Sequence, residues 1–520
     1  MLKQLQRGRL GQLQGGCLKQ PNQTGRCRGR KRQEATAPPE EFEANVRLDV
    51  STQPDTVPMS ARLVEVGLRF GVPLAVPGRE IANGLQLDIR PGTITLITGP
   101  SGAGKSLLLA AIARQFPLSR CVQNIMFPND VAVVDAIAPT RPVTEALGIL
   151  TACGLGEPML WIRRFSQLSD GEQFRARLAR AVSLHRRAQV DDDGTKTSPL
   201  LCDEFGAILH RRLAKAIAFN LRKLVTRERL ALVVATSQSD LEADLRPDTI
   251  VRLNCYTGTG PIVERSNASA ADSSSDEKSI SFARQLRIQQ GTLADYAQFS
   301  SMHYRQRGQV GFVDKVFVCR EGVDGPLLGV VVYARPTLEL RLRNRAMNNR
   351  FCKNAELLNR ELRLLKRLVI HPDVRGCGLG HWLVRRTLPL AGARFVECLA
   401  AMAAINPVFT KAGMRRIGVC EPPAIRDQIV EQLRGLGADP LSADFVAQVC
   451  RRPAVRRLVV RCVFKWYQAT SVNSEQKMSH QTPRELAQTF RQLAGSEPVY
   501  YLWSADDEGW AMIRDGDAAE

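Results

Sequence analysis

The sequence predicts an α/β chain made of two modules in series behind a basic tail that has no fold of its own. Three observations carry that expectation. From about residue 61 to 255, short apolar strands alternate with helical stretches, the pattern of a mostly parallel sheet with helices on both faces. A stretch rich in Ser, Gly and Asp then runs from Thr257 to Ser279 and reads as a linker. A second strand-and-helix pattern follows from about 284 to 420. The tail comes first: residues 1–33 hold nine Lys or Arg and no acid, with few apolar groups to offset the entropy of ordering. The expected boundaries are 1–45 for the disordered tail, 61–255 and 284–420 for the modules, and 256–283 for the linker. Residues 421–520 read as a helical, basic extension that closes on a strand, "PVYYLWS".

Bulk properties agree with several domains. A chain of 520 residues is too long for one ordinary core. Its net charge of +20 favours nucleic acid or another polyanion as a partner, against the plainer reading of a solvated basic surface. Thirteen cysteines are scattered without a CxxC pair, which gives no zinc pattern and suits a reducing compartment. No stretch reaches the roughly 18 consecutive apolar residues of a membrane span. The start, "MLKQLQRGRLGQLQGG", lacks the apolar core of a signal peptide. A cytoplasmic protein without a membrane segment is therefore expected, although an acid-poor, Arg- and Gln-rich start is also the composition of an organelle-targeting segment.

In the first module, "ARLVEVGLRF" and "LQLDIR" alternate like strands, and "VAVVDAI" reads as a buried strand. "PVTEALGILTACGL" and "GEQFRARLARAVSL" have helical spacing, and "SPLLCDEF" and "LALVVATS" are short apolar strands. Between a strand and a helix lies "GPSGAGKS", which fits G-x-x-x-x-G-K-[ST] from Gly99 through Pro100, Ser101, Gly102, Ala103, Gly104 and Lys105 to Ser106. Glycines let successive N–H groups point at phosphate oxygens, and the helix start adds partial positive charge. Lys105 would reach the outer phosphates of ATP and the Ser106 hydroxyl would sit on Mg²⁺. Downstream, Asp203 can hold the metal through water and Glu204 can polarise the attacking water.

"LSDGEQFRARLARAV" resembles the signature of ABC-type ATPases, usually LSGGQ and a basic helix. Ser169 and Gly171 match, Asp170 replaces the first glycine, and Glu172 precedes Gln173. The resemblance covers 61–255. It implies a P-loop ABC-type ATPase domain and an ATP-dependent homodimer in which Ser169 and Gly171 cap the nucleotide of the opposite subunit. It also implies that Phe70, 29 residues before Gly99, stacks on adenine. Three departures bear on turnover. The histidine usual after the last core strand is replaced by Ser237 or Gln238, the aspartate after the Walker acids Asp203 and Glu204 is missing from "GAILH", and the usual glutamine loop has only Gln123 as candidate. Hydrolysis slower than about 1 s⁻¹, the low end of typical turnover, is expected.

The second module carries another glycine loop, "HPDVRGCGLGHW". Its glycines miss the G-x-G-x-x-G dinucleotide spacing. Arg375-x-x-Gly378-x-Gly380 instead resembles the loop of GNAT-family N-acetyltransferases, and "NPVFTKAGM" resembles that family's following segment. The resemblance covers about 284–420 and implies an α+β acetyltransferase domain. Acetyl-CoA would be held by Val369, Ile370, Arg375, Gly376, Cys377, Gly378, Leu379, Gly380 and Asn406. Phe409 stands where many members have the tyrosine that protonates the leaving thiolate. Glu397 is either a general base or a carboxylate at the sheet end. His303 and Tyr304 are substrate-side candidates. Two basic stretches are noted: ten Lys or Arg against three Glu over 335–367, and six basics without an acid over 451–465.

Taken together, these readings give an ATP-binding, ATP-hydrolysing protein coupled to an acetyl-CoA-dependent acyltransferase, with an amine on nucleic acid or an associated protein as acceptor. The alternative is a nucleic-acid-binding ATPase of the repair or remodelling type with a non-catalytic acyl-CoA sensor.

Overall fold

The structure is a computed structural model. It describes residues 45–52, 58–74, 78–191, 198–254, 260–266, 279–302, 310–403, 406–470, 474–495 and 497–514. The basic tail, most of the linker, His303 and Tyr304 lie outside the described residues.

The first module starts with β1 (Asn45–Ser51), α1 (Ala61–Phe70) and β2 (Glu80–Asp88), with β1 and β2 paired antiparallel. Then come β3 (Ile94–Thr98), α2 (Lys105–Gln115), β4 (Arg120–Cys121), α3 (Val133–Ala136), α4 (Val143–Ala152), α5 (Pro158–Trp161) and α6 (Asp170–Asp191). It closes with β5 (Leu200–Cys202), α7 (Arg211–Glu228), β6 (Leu232–Thr236), α8 (Glu242–Leu245), β7 (Thr249–Arg252) and β8 (Ile262–Arg265). The main sheet runs β4-β5-β6-β3-β7-β8, parallel except for the β7–β8 pair. β3 and β6 are buried at every position, as expected of central strands covered on both faces. One face packs under α4, α6 and α7, the other under α2, β1 and β2.

Three local expectations are corrected by the structure. "ARLVEVGLRF" is the helix α1, because Ser60 accepts the Leu63 N–H and Gly71 ends the helix at φ 63°, a start and stop that outweigh its alternating pattern. "VAVVDAI" holds the single turn α3, because Val133, Ala136 and Ile137, spaced three and four apart, all turn into the core. The expected linker contributes β8, an exposed edge strand paired to β7.

The second module contains β9 (Leu286–Gln290), α9 (Leu293–Phe299), β10 (Val313–Glu321), β11 (Leu327–Ala334), α10 (Arg341–Ala346), α11 (Ala355–Glu361), β12 (Leu362–Ile370), α12 (Leu379–Thr387) and β13 (Phe395–Ala400). There follow α13 (Val408–Lys411), β14 (Arg415–Val419), α14 (Arg426–Gly435), α15 (Phe445–Arg451), α16 (Pro453–Thr470), α17 (Ser474–Ser479), α18 (Pro483–Gly495), β15 (Val499–Ser504) and α19 (Asp507–Met512). The sheet order is β14-β15-β13-β12-β11-β10-β9. Every neighbouring pair is antiparallel except β12 and β13.

The boundary at 420 is therefore corrected. β15 is an interior strand of the second sheet, held on both edges by β13 and β14, and Tyr500 and Leu502 are fully buried in it. Helices α14–α18 form an insertion with a core of its own, built on Leu433, Phe445, Val459 and Phe490. No pattern within 421–495 announces that the chain returns to the sheet; only pairing with β13, about a hundred residues earlier, makes that strand central.

The modules share a core. Ala216 and Phe219 of α7 pack in one cluster with Phe282, Leu379 and Leu383 of the second module. Arg212 pairs with Glu321 at 2.7 Å, and Asp244 accepts the Ser281 N–H and hydroxyl, each at 2.8 Å.

Candidate functional site

The first cradle forms where β3 hands over to α2. Gly102 and Gly104 take φ values of 77° and 96°, conformations open to glycine. A Cβ on Gly104 would lie 2.5 Å from Ile81 Cδ1, and one on Gly99 would meet the Leu253 carbonyl. Gly104 caps α2 without a side-chain bond, so the first amides of that helix are left for an anion. Lys105 Nζ donates to the Gly99 and Pro100 carbonyls at 2.9 and 2.7 Å. Ser101 and Ser106 are both exposed, and Ala103 is buried. A triphosphate with Mg²⁺ fits this loop: donors converge where no side chain could be tolerated.

Asp203 and Glu204 follow β5 directly. Asp203 Oδ1 accepts the Glu204 N–H at 2.9 Å. Glu204 sits at φ 45°, uncommon for a residue with a side chain and the kind of strain found at functional sites. The Gln123 amide donates to the Asp203 carbonyl, so the structure brings this glutamine to the Walker acids. Gln238 donates to the Gly206 carbonyl at 3.0 Å. Its Oε1 is buried without a partner among the described residues, an acceptor that fits a site completed by a ligand or water. Ser169 is exposed at the start of α6, and its N–H is capped by Glu172 at 2.9 Å; the extra acid of the signature thus serves as a helix cap. Gly171 lies against the Ile208 carbonyl, which a Cβ would approach to 3.5 Å. Phe70 is elsewhere in character. It ends α1, is 75% exposed, and belongs to a helix without a buried residue.

Comparison with known proteins bears on this module. The ABC transporter family model matches residues 82–123. The lipoprotein-releasing system ATP-binding protein LolD of Novosphingobium aromaticivorans is 30% identical over 216 residues, 34% of this chain and 88% of LolD. The chain belongs to the ABC transporter ATPase family. A hemin import ATP-binding protein, HmuV of Streptomyces coelicolor, is also 30% identical, over 32% of this chain and 71% of its own. A solved dimeric bacterial ABC transporter cassette overlaps 42% of this chain and 97% of its own at 18% identity and a TM-score of 0.28. As an ABC ATPase the chain binds and hydrolyses ATP. No helix among its described residues is long and apolar enough to cross a membrane.

The second loop of this ABC ATPase has the same backbone and a different setting. Gly376 and Gly378 take φ 85° and 94°, and Gly378 caps the nine-residue α12. Arg375 does not face an open cradle. Its guanidinium donates to the carbonyls of Ile370, Gly156 and Met302 at 2.9, 2.7 and 2.9 Å, and Gly156 belongs to the ATPase module. A Cβ on Gly376 would come within 2.8 Å of Asn220 Nδ2 on α7. Cys377 Sγ lies 3.8 Å from the Ala216 carbonyl, where burial pushes its thiol up to about 12. Arg375 and Cys377 are therefore engaged with the neighbouring module, whereas Gly378, Leu379 and Gly380 form the start of α12. Val369 and Ile370 end β12. That strand pairs with β13 only from Leu362 to Leu365, although β12 runs on to Ile370 and β13 to Ala400. Asn406 is exposed.

Glu397 is corrected as a catalytic candidate. It is fully buried, held by Arg343 at 3.2 Å and by the Tyr500 hydroxyl at 2.8 Å. Burial raises its carboxyl above the usual range, with Arg343 opposing. Arg343 is itself fully buried and donates to the Thr337 and Leu338 carbonyls at 2.8 and 2.6 Å. A carboxylate closed in this way holds the sheet together and meets no substrate. Sequence reasoning missed Tyr501, whose ring packs on Phe409 with centroids 5.6 Å apart. It lines a cavity of about 680 Å³ together with Thr410, Arg416 and Val499. Its signal was an aromatic run in a strand whose neighbours could not be read.

Proposed function

We propose that this ABC ATPase is coupled to an acyl-CoA-dependent acyltransferase in its second module. The observation that carries the proposal is the early end of the parallel pairing. In the second sheet β12 and β13 pair only as far as Leu365 and Cys398 although both strands run on, beside a glycine-capped helix start at Gly378. Backbone donors and acceptors left unpaired between the two strands can take an extended pantetheine, and the helix start can take its pyrophosphate. An amine nitrogen would attack the thioester carbonyl, the C–N bond would form as the C–S bond breaks, and the amine proton would pass to the departing thiolate. Phe409 holds no proton to give, and the Tyr501 phenol packed against it is a proton source at that end of the module. In the first module, the exposed Ser169 and the neighbouring Gly171 would cap a nucleotide bound by a second copy of the chain, giving an ATP-dependent homodimer.

The purified protein should bind acetyl-CoA and release CoA in the presence of an amine acceptor. Gly378→Glu, which sets a carboxylate among the amides of the helix start, should abolish that binding in calorimetry. Unchanged acetyl-CoA binding by the variant would overturn the assignment of the loop.

The second reading, a nucleic-acid-binding ATPase with an acyl-CoA sensor, is favoured by one feature. Arg457, Arg461 and Lys465 recur at four-residue intervals on α16, and all three are exposed. They form a single ridge with a cation about every 6 Å. A phosphate backbone suits such a ridge. ATP turnover that rises with DNA or RNA, without any CoA release, would favour it.

A further inference from the structure

The turn after α4, residues 153–157, lies between the signature helix and the second glycine loop. Three successive carbonyls of this turn are taken by side-chain donors from three different places. Gly154 accepts from Arg175 Nη1 at 2.6 Å, Leu155 from Trp161 Nε1 at 2.6 Å, and Gly156 from Arg375 Nη1 at 2.7 Å. Arg175 stands on α6 and is buried. Its Nε donates to the Gly171 carbonyl at 3.0 Å, so one guanidinium ties the signature glycine to the turn. Arg375 ties the same turn to the end of β12 through Ile370. The turn is also tightly enclosed. A Cβ on Gly154 would lie 2.8 Å from Ile217 Cδ1 of α7 and 3.1 Å from Arg175 Cδ, and one on Gly156 would lie 3.0 Å from Arg375 Cδ.

We infer that Arg375, although it belongs to the second module, is a positioning residue for ATP hydrolysis: through the 154–156 turn and Arg175 it sets the placement of the signature glycine Gly171. The physical argument is one of rigidity. Planar guanidinium groups bound at two or three points have little freedom to tilt. The segment between them is short, glycine-bearing and packed without spare room, so a displacement at one end is not absorbed before the other. Catalytic groups misplaced by about an ångström lose on the order of a hundredfold in rate. A second arm supports the relay: Asn220 on α7 donates to the Arg375 carbonyl at 3.4 Å, and α7 begins seven residues after Glu204. The loop that the chain's second half presents to the ATPase thus touches both the turn behind the signature segment and the helix that follows the Walker acids.

The inference rests on reading Ser169–Gly171 as the signature, and the test separates the two. ATP turnover is measured on the full chain for wild type, Arg375→Met, Arg375→Lys, Glu321→Gln and Gly171→Asp. Arg375→Met should lower kcat about tenfold, the scale of one lost charge-assisted hydrogen bond, with KM for ATP unchanged, since no nucleotide-binding group is altered. Arg375→Lys, which can reach one carbonyl but not three, should fall between. Glu321→Gln breaks the Arg212 ion pair across the same module boundary and should leave kcat unaltered. A kcat unaffected by Arg375→Met or Arg375→Lys, whether or not the melting temperature falls, overturns the positioning role. So does an equal loss in Glu321→Gln, which would mean that any loosening of the boundary suffices. If Arg375→Met does not fold, Arg375→Lys alone decides on the same criteria. Gly171→Asp that hydrolyses ATP normally would instead remove the signature reading beneath the inference.

Discussion

Gly102 and Gly104 in the first loop and Gly376 and Gly378 in the second share one backbone habit, φ between 77° and 96° leading into a glycine-capped helix. Their surroundings differ. A Cβ added at Gly99 or Gly104 would meet Leu253 or Ile81 of the loop's own module, whereas one at Gly376 would meet Asn220 and the Thr151 carbonyl of the other module. Lys105 turns back on its own loop, while Arg375 reaches across to Gly156. A glycine motif therefore specifies how the chain curves, and the neighbours decide how much of that curve is left for a ligand. The first loop is a binding site by itself. The second is partly a joint between modules.

The comparison can be broken most sharply at Lys105. Lys105→Ala should lower ATP turnover by about a hundredfold or more, the scale for a preorganised donor in a catalytic site, and should leave acetyl-CoA binding intact; loss of both in paired calorimetry would mean the loops are not separate sites. Glu204→Gln should lower turnover by about a hundredfold, within the range for a general base, while ATP is retained. It should then sediment as a dimer with ATP, and a monomer under those conditions would end the sandwich model. Arg343→Met should cost about 3–5 kcal/mol in thermal unfolding, because it leaves Glu397 buried without its partner. If the variant instead melts like wild type and loses only acyl transfer, Glu397 is catalytic after all. Charge reversal at Arg457, Arg461 and Lys465 should make the salt dependence of nucleic-acid binding shallower, by about 0.9 in log–log slope for each phosphate no longer neutralised. ATP turnover in the absence of nucleic acid should stay unchanged. The smallest effect concerns acid stability. The Thr292 N–H and hydroxyl hold the Asp295 carboxylate below its usual range. The stability it gives to α9 is therefore present above the ordinary aspartate pKa and is lost as pH falls through the depressed one. Hydrogen exchange at α9 should rise over that acidic window in wild type and show no such pH step in Asp295→Asn.

What could be read in advance follows from where the information lies. The β3–loop–α2 unit, the acids after β5, the signature helix and the succession of strands and helices in the second module up to α13 are written locally, in runs of apolar residues, glycines and caps. The helix α1 is also local, in Ser60 and Gly71, but its alternating Leu and Val pattern points the other way, to a strand. Other features are pairings at a distance. Glu397 looks like any acid on a strand until Arg343 and Tyr500 close over it, from 54 and 103 residues away. Arg375 fits a phosphate motif, and its use depends on Gly156, 219 residues earlier. Charge, spacing and periodicity do not encode such meetings.

The place of β15 between β13 and β14 also constrains the order in which the chain can assemble. Phe395 pairs with Ser504, so completing the sheet requires an encounter across more than about a hundred residues, a slow step for a search through disordered chain. The bundle α14–α18 shortens that search. It can form from local contacts around its own core, and its two ends then emerge side by side, where the Cys420 N–H meets the Pro498 carbonyl at 2.8 Å. Until this clasp shuts, β13 and β14 each leave an unpaired edge, and that interval is when newly made chains are most exposed to edge-to-edge aggregation.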